Sequence, residues 1–241
     1  MRVFKFIFFI FLPLNLVVSQ NISGRVTYGV SVNKEYEKHL EDNKTNSIFQ
    51  DVNAIAENSH FILEFNNNAS YFFEEEVLLS DHTSSLSNAS RKIIGGGNIY
   101  TNLKEESIYI DKSNLYGEKI FIKRSIDSLL WKITNSTKTI SGYKCYKAVT
   151  IKTVKNPKGN FDFEIEAWFS PVIPVKFGPK HYSNLPGLIL ELKDSHYTFT
   201  TEAIKVLNNK QIKINRPAMK KIINDSIHRM NTSKMINVLK N

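Results

Sequence analysis

Asp162, Glu164 and Glu166 stand on alternate positions of one run, interleaved with Phe161, Phe163 and Ile165. Carboxylates grouped this way can trade protons or bind calcium, but a strand with one packed and one wetted face gives the same alternation. The wetted face is the simpler expectation, with Lys144 and Lys152 of the preceding run as cross-strand partners worth roughly a few tenths of a kcal/mol each. Six histidines, His39, His60, His82, His181, His196 and His228, include no His-x-x-x-His pair and no neighbouring cysteine, so a zinc site would need ligands from separate strands. His181 and His196 flank Pro186-Gly187 and would approach each other if the following apolar run pairs with a neighbour; ordinary surface histidines are the competing expectation. Gly95-Gly96-Gly97 opens into Asn98-Ile99-Tyr100, a strand-like run, whereas a phosphate-binding loop needs Gly-Lys-Ser/Thr opening a helix. Neither a Gly-x-Ser-x-Gly elbow nor a His-Glu-x-x-His pair occurs. No catalytic, metal or cofactor residue is therefore assigned, and a hydrolase using His181 and His196 ranks third among the functional readings.

The elements that would position these residues are mostly strands. Val26, Tyr28, Val30 and Val32 alternate within Ser23 to Val32, the first strand. Ile48, Val52, Ile55 and Ala56 recur at helical spacing behind Ser47, which predicts one short helix. Phe61 to Phe65 and Ser70 to Phe73 form a hairpin across Asn66-Asn67-Asn68-Ala69, and Ser80 to Gly97 reads as a loop. Short apolar runs follow at Ile99-Tyr100, Ile108 to Ile110, Lys119 to Ile122 and Leu129 to Ile133. Tyr143 to Val154 then turns through Asn156 to Asn160 into Phe161 to Phe169. In the first of these long strands, Tyr143, Cys145, Val149 and Ile151 are placed on the core face. Strands returning through short turns imply an antiparallel sheet.

Charge divides the chain. Residues 20–209 balance 22 basic against 22 acidic side chains, while residues 210–241 carry eight Lys or Arg against Asp225 alone. A neutral body argues against nucleic acid as partner, and the basic tail suggests a local contact. After Arg216-Pro217, Met219, Ile222, Ile223, Ile227 and Met230 recur at three and four residues, which predicts a helix whose apolar stripe packs on the sheet or touches anionic lipid or a partner groove. Lys220, Lys221, Arg229 and Lys234 are the candidate membrane or partner contacts. At the other end, Arg2 and Lys5 precede the apolar run Phe6 to Leu12, and Val17-Val18-Ser19 offers a cut near Gln20, so residues 1–19 read as a signal peptide. Export to the periplasm, the outer-membrane periphery or the exterior follows. Cys145, the one cysteine, cannot form an internal disulfide and reads as a small buried hydrophobe, with no disulfide-linked partner expected. Seven Asn-x-Ser/Thr triplets, in an asparagine-rich chain, imply no function.

Two blocks carry a family resemblance. The first is Trp131-Lys132-Ile133 followed by Thr137-Lys138-Thr139-Ile140-Ser141-Gly142-Tyr143-Lys144-Cys145-Tyr146-Lys147-Ala148. The second is Ala167-Trp168-Phe169, Ile173-Pro174, Gly178-Pro179 and Leu185-Pro186-Gly187-Leu188-Ile189-Leu190. Together they resemble the GLPGLI family of exported Gram-negative envelope proteins, with Asn184 where the name-giving motif has glycine. Asparagine tolerates left-handed φ better than most residues, so the turn should survive. The resemblance implies an exported protein and no catalytic role for any residue. Pro186 and Gly187 predict a type II turn, and Trp131, Lys138, Gly142, Tyr143, Cys145, Lys147, Ala148, Trp168, Pro174, Gly178, Pro179 and Leu185 to Ile189 read as fold determinants.

The expected fold is mainly β within α+β: one curved antiparallel sheet or open half-barrel (20–209), a short helix, and a basic helical tail (210–241), like lipoprotein carriers in architecture. With aromatics at 12% of residues and many on strands, an apolar concave face is expected. The leading functional reading is a non-enzymatic binding protein for a lipid, another apolar ligand or a membrane-associated partner, with no cofactor. The alternative is a structural or accessory subunit of an outer-membrane uptake or secretion system, partnered by an outer-membrane protein.

Overall fold

The strand-forming runs build two meanders that share one sheet. The computed structural model describes residues 21–34, 47–75, 94–113, 118–156, 159–210 and 212–230. The first meander comprises β1 (Ile22–Val32), then helix α1 (Ser47–Glu57), β2 (His60–Phe65), β3 (Ala69–Glu74), β4 (Ile99–Asn102), β5 (Ser107–Ser113) and β6 (Lys119–Ser125). The second comprises β7 (Lys132–Ile140), β8 (Tyr143–Asn156), β9 (Gly159–Ser170), β10 (Leu188–Lys193) and β11 (Tyr197–Asn208), and β12 (Lys221–Asn224) closes the series. The strand order is β12-β6-β5-β4-β3-β2-β1-β11-β10-β9-β8-β7, one large curved sheet that does not close. The expected strands, both hairpins and α1 are present. His39, His82, Lys234, the signal segment, most of the loop after Ser80 and the run Met235 to Leu239 lie outside the described residues.

Val26, Tyr28 and Val30 of β1, Phe61 and Leu63 of β2, Phe72 of β3 and Phe199 of β11 fill one side of the sheet. Phe61 stacks on Phe72 with ring centres 5.4 Å apart and meets Phe199 edge-on at 5.6 Å. The connection 171–187 then enters this concave side, burying Ile173, Val175, Phe177, Tyr182 and Leu185, and α1 adds Val52 and Ala56 to the same core. Backbone bonds fix the intruding segment: Leu188 N donates to Ile173 O and Ile189 N to Phe177 O, both at 3.0 Å. Tyr28 Oη donates to Ile189 O at 2.6 Å inside the core. The concave apolar face expected from the aromatics exists, and this family-motif segment fills it.

The turn in that segment differs from expectation. Asn184 does take left-handed φ, +71°, so asparagine serves where the motif has glycine. Gly187 does not take positive φ, and its amide donates to Leu185 O at 2.8 Å, a three-residue turn centred on Pro186 rather than a type II turn. Glycine is required there by crowding, because a Cβ would stand 2.3 Å from Ser170 O. The same hydrogen bond recurs around Pro174, from Val175 N to Ile173 O at 2.8 Å. Proline presets φ near −65°, which suits both turns.

In β8 the core face is also reassigned. Tyr146, Ala148, Thr150 and Lys152 oppose Phe169, Ala167, Ile165 and Phe163 of β9, so these residues share the concave side. Val149 and Ile151 point the other way, and Ile151 is exposed. Cys145 is buried on that opposite side as well. Both parities of this strand carry apolar side chains, so alternation alone could not choose between them.

The tail departs furthest. From residue 212 the chain crosses the convex face in extended form, where Ile214 and Met219 cover Tyr100, Tyr109 and Phe121. Arg216 bonds Glu105 at 2.5 Å. Lys221 to Asn224 then form β12, which pairs in parallel with β6. The expected helix begins only at 225 and is helical through 230, hereafter α2. Adjacent β-branched Ile222 and Ile223 suit a strand, and the open edge of β6 supplies its hydrogen bonds.

Candidate functional site

His181, His196 and the carboxylate of Asp194 share one neighbourhood, at one end of the concave side. The connection 171–187 surfaces at Lys180, which has φ of +57°, and the Lys180 ammonium reaches Asp194 Oδ2 at 2.6 Å. Asp194 begins the β10–β11 turn: its Oδ1 accepts from the amides of His196 (3.0 Å) and Tyr197 (3.2 Å), and Asn33 Nδ2 donates to its carbonyl at 2.6 Å. Its side chain is 4% exposed. Burial would raise its pKa, but Lys180 and the two amides outweigh burial and hold it down at about 2. His181 stacks on Tyr182 with centres 4.5 Å apart, and His196 Nδ1 lies 2.8 Å from Ser195 Oγ. Burial, reinforced by Arg124, Lys152 and Lys180, pushes His181 well below the usual histidine range. Burial likewise lowers His196, against the pull of Asp194.

This arrangement is suited to holding charge. Asp194 spends its carboxylate on Lys180 and on the amides of its own turn, which fixes the β10–β11 connection beside the imidazoles. The remaining histidines lie apart: His60 pairs with Glu202 at 3.2 Å, and His228 sits in α2. No group of three His, Cys, Asp or Glu side chains that could hold a metal occurs among the described residues.

Around the two histidines gather cations that sequence reasoning did not connect. Arg124 of β6 donates from Nη2 to Asp225 Oδ1 at 2.9 Å, and Arg229 of α2 donates to the other oxygen at 2.7 Å. Lys152, expected to pair with the carboxylates of β9, faces the concave side opposite Phe163, whose ring lies 6.4 Å from His196. No sequence signal marks it, because both parities of β8 carry apolar side chains.

The carboxylates of β9 divide. Asp162 and Glu164 are exposed, and Asp162 accepts from Thr153 Oγ1 at 2.6 Å. Glu166 is partly buried and belongs to a ladder of motif residues across β7 to β10. Lys147 pairs with it at 2.5 Å, and the Trp168 indole donates to it at 2.6 Å. Lys138 pairs with Glu191 at 2.7 Å, its ammonium 4.3 Å from the Trp168 ring centre. Burial alone would raise the Glu166 pKa, but the Lys147 and Trp168 bonds overcome it and lower it. Lysine 147 thus takes the place expected for Lys144 and Lys152. Cys145 lies buried beside this ladder, and burial pushes its thiol up to about 11. Gly142, at φ +82° after Ser141 at +48°, makes the two-residue turn joining β7 to β8. Trp131 donates to Ser183 O at 2.9 Å. Trp131, Lys138, Lys147 and Trp168 thus link neighbouring strands and the 171–187 connection.

At the β12 edge the apolar residues point outward. Asp225 and Arg229, four apart, turn α2 toward Arg124, and this leaves Ile227 45% and Met230 51% exposed on its other side. Ile222 is 44% exposed, with Lys220 and Lys221 exposed beside it.

Residues 157–191 match the family model described as Protein of unknown function (Porph_ging). No curated protein matches the chain. Among solved structures, PNGF-II in its C2 space group is similar at a TM-score of 0.52 and 18% identity, over 88% of this chain and 32% of that one. The P21 form gives a TM-score of 0.51 at 17% identity, over 88% and 33%. The chain spans about a third of the length of these structures, and at such identity the likeness is one of fold.

Proposed function

We propose that the chain is an exported, non-enzymatic envelope protein of the GLPGLI type that docks on an anionic membrane surface through its β12–α2 edge. One observation carries this reading: Ile222, Ile227 and Met230 are about half exposed beside Lys220 and Lys221, in the segment that holds most of the chain's excess positive charge. Apolar side chains bordered by cations gain both burial and electrostatic attraction at an anionic bilayer. Among the described residues no helix is long and apolar enough to cross a membrane. A carried lipid or other apolar ligand is less favoured, because the concave face is filled by the 171–187 connection.

Co-sedimentation tests this. The full chain should bind vesicles containing phosphatidylglycerol, release them in high salt, and ignore neutral vesicles. The triple variant Ile222→Ser, Ile227→Ser, Met230→Ser should lose binding with its circular dichroism unchanged. Equal binding to neutral vesicles, or by the triple variant, would exclude this role for the edge. The accessory-subunit reading draws support from β7, which pairs only with β8 among the described residues and so offers a strand edge to a partner. A photo-crosslinker at Thr137 should then capture an outer-membrane protein in cells.

A further inference from the structure

At the end of the concave side, hydrogen-bond donors and positive charge exceed the acceptors that the described residues supply. Arg124 shares the Asp225 carboxylate with Arg229, and Lys180 takes Asp194. Lys152 makes no ion pair or hydrogen bond among the described residues. Three further donors are buried without a partner among the described residues: the hydroxyl of Tyr182, a residue 1% exposed, the hydroxyl of the adjacent Ser183, and Arg124 Nε. Buried polar atoms are rarely left unbonded, so each such donor needs an explanation.

These groups belong to one neighbourhood. Lys152 faces the same side as Phe163, and Phe163 meets His196. His196 follows Asp194, which binds Lys180, and His181 stacks on Tyr182. Asn184 Nδ2 donates to Asp127 Oδ1 at 2.8 Å, three residues beyond Arg124, which brings β6 up to the same loop. The cluster is not sealed, since Lys152, His181 and Arg124 keep partial exposure.

We infer that this cluster binds a compact oxyanion, a phosphoryl or sulfate group, with Lys152, the Tyr182 hydroxyl and Arg124 Nε as its donors. Such an anion offers several acceptor oxygens to three donors that lack them, and charge-assisted bonds to lysine and arginine are the strong kind. The electrostatics agree. Burial lowers the Lys152 pKa, Asp194 opposes it, and Lys180, Arg124 and Arg229 lower it further, a strain that a bound anion relieves. The vesicle-docking edge adjoins this cluster, since Asp225 of α2 pairs with both Arg124 and Arg229, but the exposed side chains of Ile222, Ile227 and Met230 take no part in the anion site.

Titration calorimetry of the full chain with inorganic phosphate, at ionic strength fixed with chloride, tests the inference. Saturable binding is expected, at least tenfold weaker in Lys152→Met and several-fold weaker in Tyr182→Phe. Neither lost polar group makes a hydrogen bond among the described residues, so both variants should keep the parent's circular dichroism without phosphate. Glycerol 3-phosphate and phosphatidic acid vesicles separate a soluble ligand from a lipid headgroup: binding of the first points to the soluble source, and binding of the vesicles alone to the headgroup. The triple variant at Ile222, Ile227 and Met230 should still bind phosphate, which distinguishes failure of one site from failure of the other. No saturable binding of any of the three probes, or parent-like binding by both variants, overturns the proposal.

Discussion

Tyr28 and Lys180 show how single polar atoms hold this core together. Replacing Tyr28 by phenylalanine removes a buried hydrogen bond to Ile189 O, which should cost about 0.5–1.5 kcal/mol in urea denaturation. Lys180→Met leaves Asp194 buried without its cation, with an expected loss of about 3–5 kcal/mol. The sign of the pH effect follows from the depressed Asp194 pKa. Its stabilisation is fully present above the ordinary aspartate value of 3.8 and is lost as pH falls toward about 2. Acid titration of the parent should therefore show stability falling in that window, and Lys180→Met should unfold at higher pH. Cys145, with its raised pKa, should resist Ellman's reagent at pH 8 until the protein unfolds. At this scale the sequence was partly legible. The buried Cys145 follows from residue chemistry, and the left-handed Asn184 from the glycine that the resembled motif has there. The Lys180–Asp194 pair does not, because it joins two turns that only the folded sheet brings together.

Among elements, the 171–187 connection and the tail show what periodicity can and cannot decide. Gly187→Ala would drive a Cβ into the Ser170 backbone, and a loss of about 2 kcal/mol or more is expected in thermal or urea unfolding. A type II turn would have predicted intolerance for a different reason, positive φ, which Gly187 lacks. The hairpins were legible because polar turn residues separate strongly apolar runs, as at Asn66 to Ala69 between β2 and β3. The tail was not, because Met219, Ile222, Ile223 and Ile227 satisfy a helical spacing whichever structure they adopt. The open edge of β6, a property of a distant segment, selects a strand at Lys221 to Asn224. The same competition hid Lys152: its strand has apolar residues on both parities, and the pairing with Phe163 settles the direction it faces.

For the whole molecule, the tail acts as a strap over the convex face. Deleting residues 212–241 should uncover Tyr100, Tyr109, Phe121 and the edge of β6, so the shortened chain is expected to bind a hydrophobic dye and self-associate in gel filtration. The curved single sheet was legible from the succession of strands and short turns, but its strand order was not. Local patterns report neighbours in the chain, and the middle of this sheet is made by strands far apart in it. Strand β1 lies against β11, with Ile22 opposite Asn208, so the two halves are seamed by the first and last long strands. Each wing can zip up hairpin by hairpin, yet the seam must await nearly the whole polypeptide. Loop closure over such a span is slow. A chain emerging residue by residue from a ribosome or a translocation channel would spend most of its passage as two unjoined wings, each exposing one half of the future core. Such a protein acquires its final cooperativity late, and any chaperone that attends it should recognise the unsealed strands β1 and β11.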